Sequence, residues 1–304
     1  MTEFYLITGF LGAGKTTFLQ HFLPKFKDRD IKLIINEFGN KGVDGSILQE
    51  TGAKLQEICG GSIFCSCKLD KFEEAMNDCL LTTPDVIIVE ASGLSDPTNI
   101  RKTLKQYEEK GKLIYKGCIC LVDAVRFHKV FATARVCKKQ LAVTDLVILN
   151  KIDLVTASEI ETLDSTIKSQ FPSIKTVKAS FGKVDFKLED LLVSRSHAFD
   201  SETEKPDITL QKTMLSIDPS MSLYELERFL NSFAEDTARI KGYVTLADHG
   251  FVLVDCVGSM VNVKVIDYKE VEEGLNLLAT AGQPMRKALK TAMTYYNGKV
   301  AIVK

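Results

Sequence analysis

Residues 9–16 read GFLGAGKT and fit the spacing GxxxxGK[ST]. Those residue types in that order suit one task, the holding of a phosphate chain. Glycines let backbone N–H groups curl round an anion, and the start of a helix adds positive potential. Lys15 reaches the β and γ oxygens and Thr16 ligates Mg²⁺. Gly12, Ala13, Gly14, Lys15, Thr16 and Thr17 are the expected phosphate contacts. A second string, NKID at 150–153, follows the apolar run DLVIL. There Asp153 can accept two hydrogen bonds from the N1 and N2 donors of guanine, which adenine lacks, while the Lys151 stem covers the ring. With Asn150, these residues favour GTP over ATP, and Ala179 and Ser180 are placed to close the base pocket from the other side.

Such chemistry needs elements to position it. The run FYLIT (4–8) has the length and composition of a buried strand, and TTFLQHFL (16–23) repeats apolar residues at helical spacing. Up to about residue 194, strand-like runs at 4–8, 31–35, 85–89, 117–122, 145–149 and 173–179 alternate with helix-like segments. That pattern predicts an α/β, doubly wound, mostly parallel sheet, with ligands at the carboxyl ends of the strands. The polar stretch 195–207 reads as a linker, which separates a nucleotide-binding domain (1–194) from a smaller α+β domain (208–304). In the latter, strands are expected at 208–217, 242–247, 250–257 and 261–266, and helices near 222–234 and 270–279.

The 304 residues are 45% hydrophobic and 26% charged, with a formal net charge of −1. No apolar stretch approaches the roughly 20 residues of a membrane span, and the first residues carry no secretory pattern. A cytoplasmic protein is expected, with no membrane partner. No basic stripe stands out, which argues against nucleic acid as the main partner. The eight cysteines should then be mostly reduced thiols. Of these, Cys118, Cys120 and Cys256 lie in strand-like runs and Cys79 and Cys137 in helix-like segments, where packing is the default role. The histidines at 21, 128, 197 and 249 lack ligand spacing.

Two further strings, INEFGN (35–40) and VEASGLSDP (89–97), end the second and third of these strands. With the phosphate loop, NKID, the intervening cysteine loop and IKGYVTL (240–246), they resemble the CobW-like metallochaperone GTPases. These are relatives of the GTPases that insert nickel during urease and hydrogenase maturation. The resemblance spans most of the chain and implies a slow GTPase that binds GTP, GDP and Mg²⁺. Glu90 ends an apolar strand as a hard ligand for Mg²⁺ must. Gly93 lets the backbone approach the γ-phosphate, and Glu37 is placed to reach the metal or position the attacking water. Asp123 reads equally as a switch residue or a turn former, and Pro97 as a stop that orients the next helix. Arg101 is the candidate for an arginine finger, and a partner or homodimer contact is the expected accelerator.

The chain departs from the family in its cysteine loop, EICGGSIFCSCK (57–68). Ser62 and Phe64 stand where two of three family cysteines fall, and only Cys65 keeps register. Cys59, Cys65 and Cys67 still put three thiols within nine residues, enough for a soft metal such as Zn²⁺, Co²⁺ or Ni²⁺, with Glu37 or Glu57 as a fourth ligand. Redox sensing and inert thiols compete with that reading. The expected function is thus a GTP-gated metallochaperone acting on a client metalloprotein or cofactor-dependent enzyme. The alternatives are a metal-free GTP switch that activates a cobalamin- or metalloenzyme-related client, and an enzyme with a substrate site in its second domain.

Overall fold

The first strand, β1 (Thr2–Gly9), is buried throughout apart from half-buried Glu3, so layers must cover both of its faces. The computed structural model describes residues 1–37, 54–59, 69–98, 100–184, 211–268, 271, 273–279, 284–296 and 298–303, with backbone alone at 37, 54–59, 69 and 102. Alternation along β1 does divide two cores. Tyr5 and Ile7 join Phe18, Leu19, Phe22 and Phe26 on one side. Phe4 and Leu6 join Phe72, Met76, Ile100 and Leu104 on the other.

The remaining strands of this sheet are β2 (Ile31–Glu37), β3 (Lys54–Cys59), β4 (Val86–Glu90), β5 (Leu113–Asp123), β6 (Leu146–Asn150) and β7 (Lys175–Lys178). Their order is β3-β2-β4-β1-β5-β6-β7, and all six pairings are parallel. Helices α1 (Lys15–Phe22), α2 (Leu69–Leu81), α3 (Ile100–Glu109), α4 (Phe127–Thr133), α5 (Arg135–Ala142) and α6 (Ala157–Gln170) connect them. Because every strand runs the same way, all carboxyl ends share one edge. β1 is central; the connection after it runs to β2 on one side, while the connection after its neighbour β5 runs to β6 on the other, which places a topological switch point at the phosphate loop.

Phe18 stacks on Phe22 at 5.0 Å, and Tyr5 meets Phe22 edge-on at 5.7 Å. Each such ring removes enough apolar surface from water to stabilise the fold by about 2–3 kcal/mol. This cluster seats α1 on β1 and so fixes the loop between them. At the other end of the sheet α6 begins with a capping box, in which Thr156 accepts from Glu159 N and the Glu159 carboxylate accepts from Thr156 N.

Contacts divide the chain into Met1–Glu204 and Lys205–Lys304. The second unit holds β8 (Gln211–Ile217), α7 (Leu223–Asn231), β9 (Arg239–Leu246), β10 (Gly250–Cys256), β11 (Val263–Val265), β12 (Gly274–Ala279), α8 (Met285–Thr294) and β13 (Val300–Val303). Its sheet has the order β11-β10-β9-β12-β8-β13 and is antiparallel throughout. Phe229, Leu230, Phe233 and Leu289 pack against one face of it.

One expectation is corrected here. The stretch 270–279 suggested a helix, but Gly274–Ala279 is a strand paired on both sides, with β9 and β8. The run GLNLLA is short and apolar. Periodicity alone does not separate a buried strand from a helix in so brief a run, and two ladders of hydrogen bonds outweigh the helix propensity of Leu and Ala. The expected linker lies outside the described residues.

Candidate functional site

The phosphate loop leaves β1 and enters α1 through Gly14, whose φ of 95° and ψ of 29° cap the helix in the left-handed region. A Cβ at Gly14 would lie 2.4 Å from the Asn150 amide nitrogen, so both conformation and space demand glycine. Lys15 is buried, and its Nζ donates to Gly9 O at 2.9 Å and Phe10 O at 3.3 Å, which folds the ammonium over the loop that it belongs to. Thr16 Oγ1 lies 3.4 Å from Glu90 Oε1. A hydroxyl and a buried carboxylate are hard oxygen donors suited to Mg²⁺, and the backbone cradle beside them suits a phosphate chain. The residues present therefore fit a Mg²⁺-nucleotide. Thr17, the next residue, is half-buried in the first turn of α1.

Gly93 sits against this loop from the β4 side. A Cβ there would approach Leu11 N to 2.6 Å, which leaves room for backbone only. The segment that follows is tied in two directions. Gln140 Nε2, from α5, donates to Gly93 O and Ser95 O, each at 3.2 Å, and Lys139 pairs with Asp96. On the other side Ser95 Oγ donates to Asn36 Oδ1 of β2 at 3.2 Å.

At the far side of β1, Asn150 is 2% exposed. Its Nδ2 donates to Ala13 O at 2.9 Å, and its Oδ1 accepts from Gly182 N at 2.9 Å. One amide thus clamps the phosphate loop to the turn after β7. Lys151 has a left-handed backbone, φ 64°, and its Nζ donates to Asp123 Oδ2 at 2.7 Å. Asp123 Oδ1 accepts from Val125 N and Arg126 N, so this carboxylate both forms the turn and engages the lysine. Asp153 is exposed on a 3-10 turn (Ile152–Leu154). Ser180 lies half-buried beside it in the chain's path from Ala179, whose carbonyl accepts from Ile152 N.

β2 ends at Glu37 and β3 at Cys59, and these two residues are direct register partners. Their backbones share the sheet edge that carries Glu90, two residues beyond the Ile35–Glu90 pairing. Cys65 and Cys67 lie outside the described residues, as do Ser62 and Phe64. Among the described residues no three His, Cys, Asp or Glu side chains converge to hold a metal. Cys79, Cys118, Cys120, Cys137 and Cys256 are buried thiols outside any disulfide. Burial pushes the thiol of Cys79 up to about 11 and those of Cys137 and Cys256 up to about 12. Thiols so hard to ionise are poor metal ligands. Arg101 is engaged elsewhere, 2.6 Å from Glu108 and stacked over Tyr115.

The description "CobW/HypB/UreG, nucleotide-binding domain" matches residues 3–178. The chain belongs to the CobW/HypB/UreG family. Every residue of the nucleotide site from Gly9 to Lys151 and Asp153 falls inside that match. Among relatives, the zinc chaperone YeiR of Escherichia coli is 33% identical over 195 residues, 63% of this chain and 59% of its own length. The zinc chaperone YjiA of Escherichia coli is 27% identical over 249 residues, 77% of each chain. The zinc chaperone CobW of Sinorhizobium sp is 32% identical over 210 residues, 59% of each. The CobW/HypB/UreG chain described here therefore spans about three-fifths of the length of YeiR and CobW in these matches. Among the described residues no helix is long and apolar enough to cross a membrane.

Asn36, Ser95 and Gln140 brace the segment beside this site, unannounced by the sequence reading. Asn36 and Ser95 lie inside the strings INEFGN and VEASGLSDP, which signalled them only collectively. Gln140 gave no signal, since an amide in an amphipathic helix reads as surface.

Proposed function

We propose that the chain binds and hydrolyses GTP and uses nucleotide state to control a transition-metal site at the ends of β2 and β3, as a metallochaperone for a client metalloprotein. The observation that carries this reading is the Glu37–Cys59 register pair, which sets a soft and a hard ligand type on the edge occupied by Glu90 and the phosphate loop. Relatives named as zinc chaperones support it.

In this reading the N–H groups of residues 12–17 and the Lys15 ammonium hold the β and γ phosphates, and Gly93 meets the γ-phosphate. Thr16 and Glu90 hold Mg²⁺, which when bound neutralises charge on the transferring phosphoryl group. Asp153 reads guanine, Lys151 covers its ring, and Ser180 closes the pocket. Glu37 orients the attacking water or joins the metal set. Water adds to the γ-phosphorus as the bond to the β-phosphate oxygen breaks, giving GDP and phosphate. With Arg101 held by Glu108, this chain supplies no arginine from that position, so intrinsic turnover is slow and a client or homodimer contact accelerates it. Cys59, Cys65 and Cys67 take Zn²⁺, Co²⁺ or Ni²⁺ as cargo in a reducing, cytoplasmic setting, and proton competition weakens loading as pH falls.

The deciding experiment is anaerobic titration of reduced protein with Zn²⁺ and Co²⁺, with GDP or a non-hydrolysable GTP analogue bound. Stoichiometric binding lost in a Cys65→Ser, Cys67→Ser variant sustains the proposal. Absent binding in both nucleotide states leaves a metal-free GTP switch, the reading that Ser62 and Phe64 at family cysteine positions favour.

A further inference from the structure

The phosphate loop and the ends of β2 and β3 are separate parts of the sheet edge, and some contact must join them if nucleotide state is to reach a metal. The segment from Gly93 to Asp96 touches both. At one end Gly93 has only backbone room against Leu11 N of the phosphate loop. Two residues on, Ser95 is fully buried, and its Oγ donates to Asn36 Oδ1 at 3.2 Å. Asn36 is itself 2% exposed and pairs in register with Ile58, the residue before Cys59. The opposite side of the segment is held by α5, through the Gln140 amide and the Lys139–Asp96 pair. Gln140 Nε2 reaches two carbonyls of the segment, so a shift of Gly93 toward or away from the phosphate loop changes bonds at both margins together. A buried hydrogen-bonded segment anchored on two rigid elements has discrete arrangements rather than a continuum.

We propose that the Ser95–Asn36 hydrogen bond transmits the presence of the γ-phosphate from Gly93 into the β2–β3 ladder, and so into the Glu37–Cys59 strand ends. Ser95 and Asn36 are positioning residues, and the inference rests on the GTP-gated reading above. The serine hydroxyl is the donor and the asparagine carbonyl the acceptor. Removing the hydroxyl cuts this hydrogen bond into β2 and alters none of residues 12–17.

The test uses the full chain with Mg²⁺ and either GDP or a non-hydrolysable GTP analogue. Two readouts are compared, amide hydrogen exchange over residues 54–59 and Co²⁺ affinity followed by its thiolate absorption. In the unaltered chain exchange at 54–59 differs between the two nucleotides, and Co²⁺ affinity differs by about fivefold or more, the lower range of ordinary allosteric coupling. Ser95→Ala binds both nucleotides within about twofold of the unaltered chain and loses both differences. Ser95→Cys, close in shape with a weaker donor, retains a reduced difference and serves if the alanine variant does not fold. Ser95→Ala with undiminished differences would overturn the proposal, as would nucleotide-independent exchange at 54–59 in the unaltered chain. Should exchange respond to nucleotide through Ser95 while no Co²⁺ binds in either state, the coupling stands and the metal reading falls.

Discussion

Lys151 and Asp123 form an ion pair of 2.7 Å at the carboxyl ends of two adjacent strands, with side chains only 18% and 7% exposed. A surface pair of this kind contributes little, but this one is shielded, and Asp123 is fixed by two backbone N–H donors. It holds the lysine stem in place before a base arrives. Asp123→Asn should raise the dissociation constant for GDP by about tenfold, about 1.4 kcal/mol. Lys151→Met should do the same. The double variant should cost little more than either, because both changes remove one interaction. Fluorescent-nucleotide titration checks this, and strictly additive losses would show that the pair does not act as a unit.

In the proposed reading Asp153 sets the choice of base. Asp153→Ala removes a carboxylate able to accept two hydrogen bonds, each to a charged acceptor of about 1.5–3 kcal/mol. The preference for GDP over ADP should collapse by about a hundredfold or more, mainly through lost GDP affinity. Competition titration with both nucleotides measures it, and a preserved preference would place guanine recognition elsewhere.

The proposed hydrolysis assigns roles to Lys15 and to the Thr16–Glu90 pair, whose oxygens are 3.4 Å apart. Lys15→Ala should abolish nucleotide binding at micromolar concentrations. Glu90→Gln keeps the shape and removes the charge, so GDP affinity should fall only slightly while kcat falls by about a hundredfold. Phosphate release assayed across a Mg²⁺ series distinguishes the two. Full activity in Glu90→Gln would remove the carboxylate from the chemistry.

Buried thiols give the protein an alkaline weakness. Burial raises Cys79 to about 11 and Cys137 and Cys256 to about 12, above the ordinary thiol value of about 8.5. A group whose folded-state value is raised stabilises fully below its unfolded value and loses that contribution as pH rises toward the folded one. Urea midpoints should therefore hold near pH 8 and fall between about pH 9 and 11. Under native conditions Cys79, Cys118, Cys120, Cys137 and Cys256 should also resist alkylation, and unfolding should expose them. Rapid labelling of these five at pH 8 would contradict their placement.

The sequence disclosed strands with clearly bounded apolar runs and left obscure a strand carrying charges and a short run that suits a helix equally. Runs such as VIIVE and LVILN are apolar at their first four positions because layers cover both faces, and both form strands within one residue of their expected bounds. β3, KLQEIC, went unread because an edge strand keeps charges at 54 and 57 that blur the pattern. β12 was misread for the opposite reason, being short, apolar and rich in leucine. At the site, Gly14 and Lys15 were legible because phosphate geometry restricts residue type. Gln140 was not, since its contacts are to carbonyls of Gly93 and Ser95, 47 and 45 residues away in the chain, and any helix can carry a glutamine.

The position of β3 at the margin of the sheet, with β1 at its centre, separates two kinds of place on the sheet edge. In the proposed reading the nucleotide is handled at the end of β1, which has strands on both sides. Cys59 ends β3, which among the described strands has a neighbour on one side only. In the proposed reading, an ion held there leaves along the sheet margin, apart from the guanine and the phosphates.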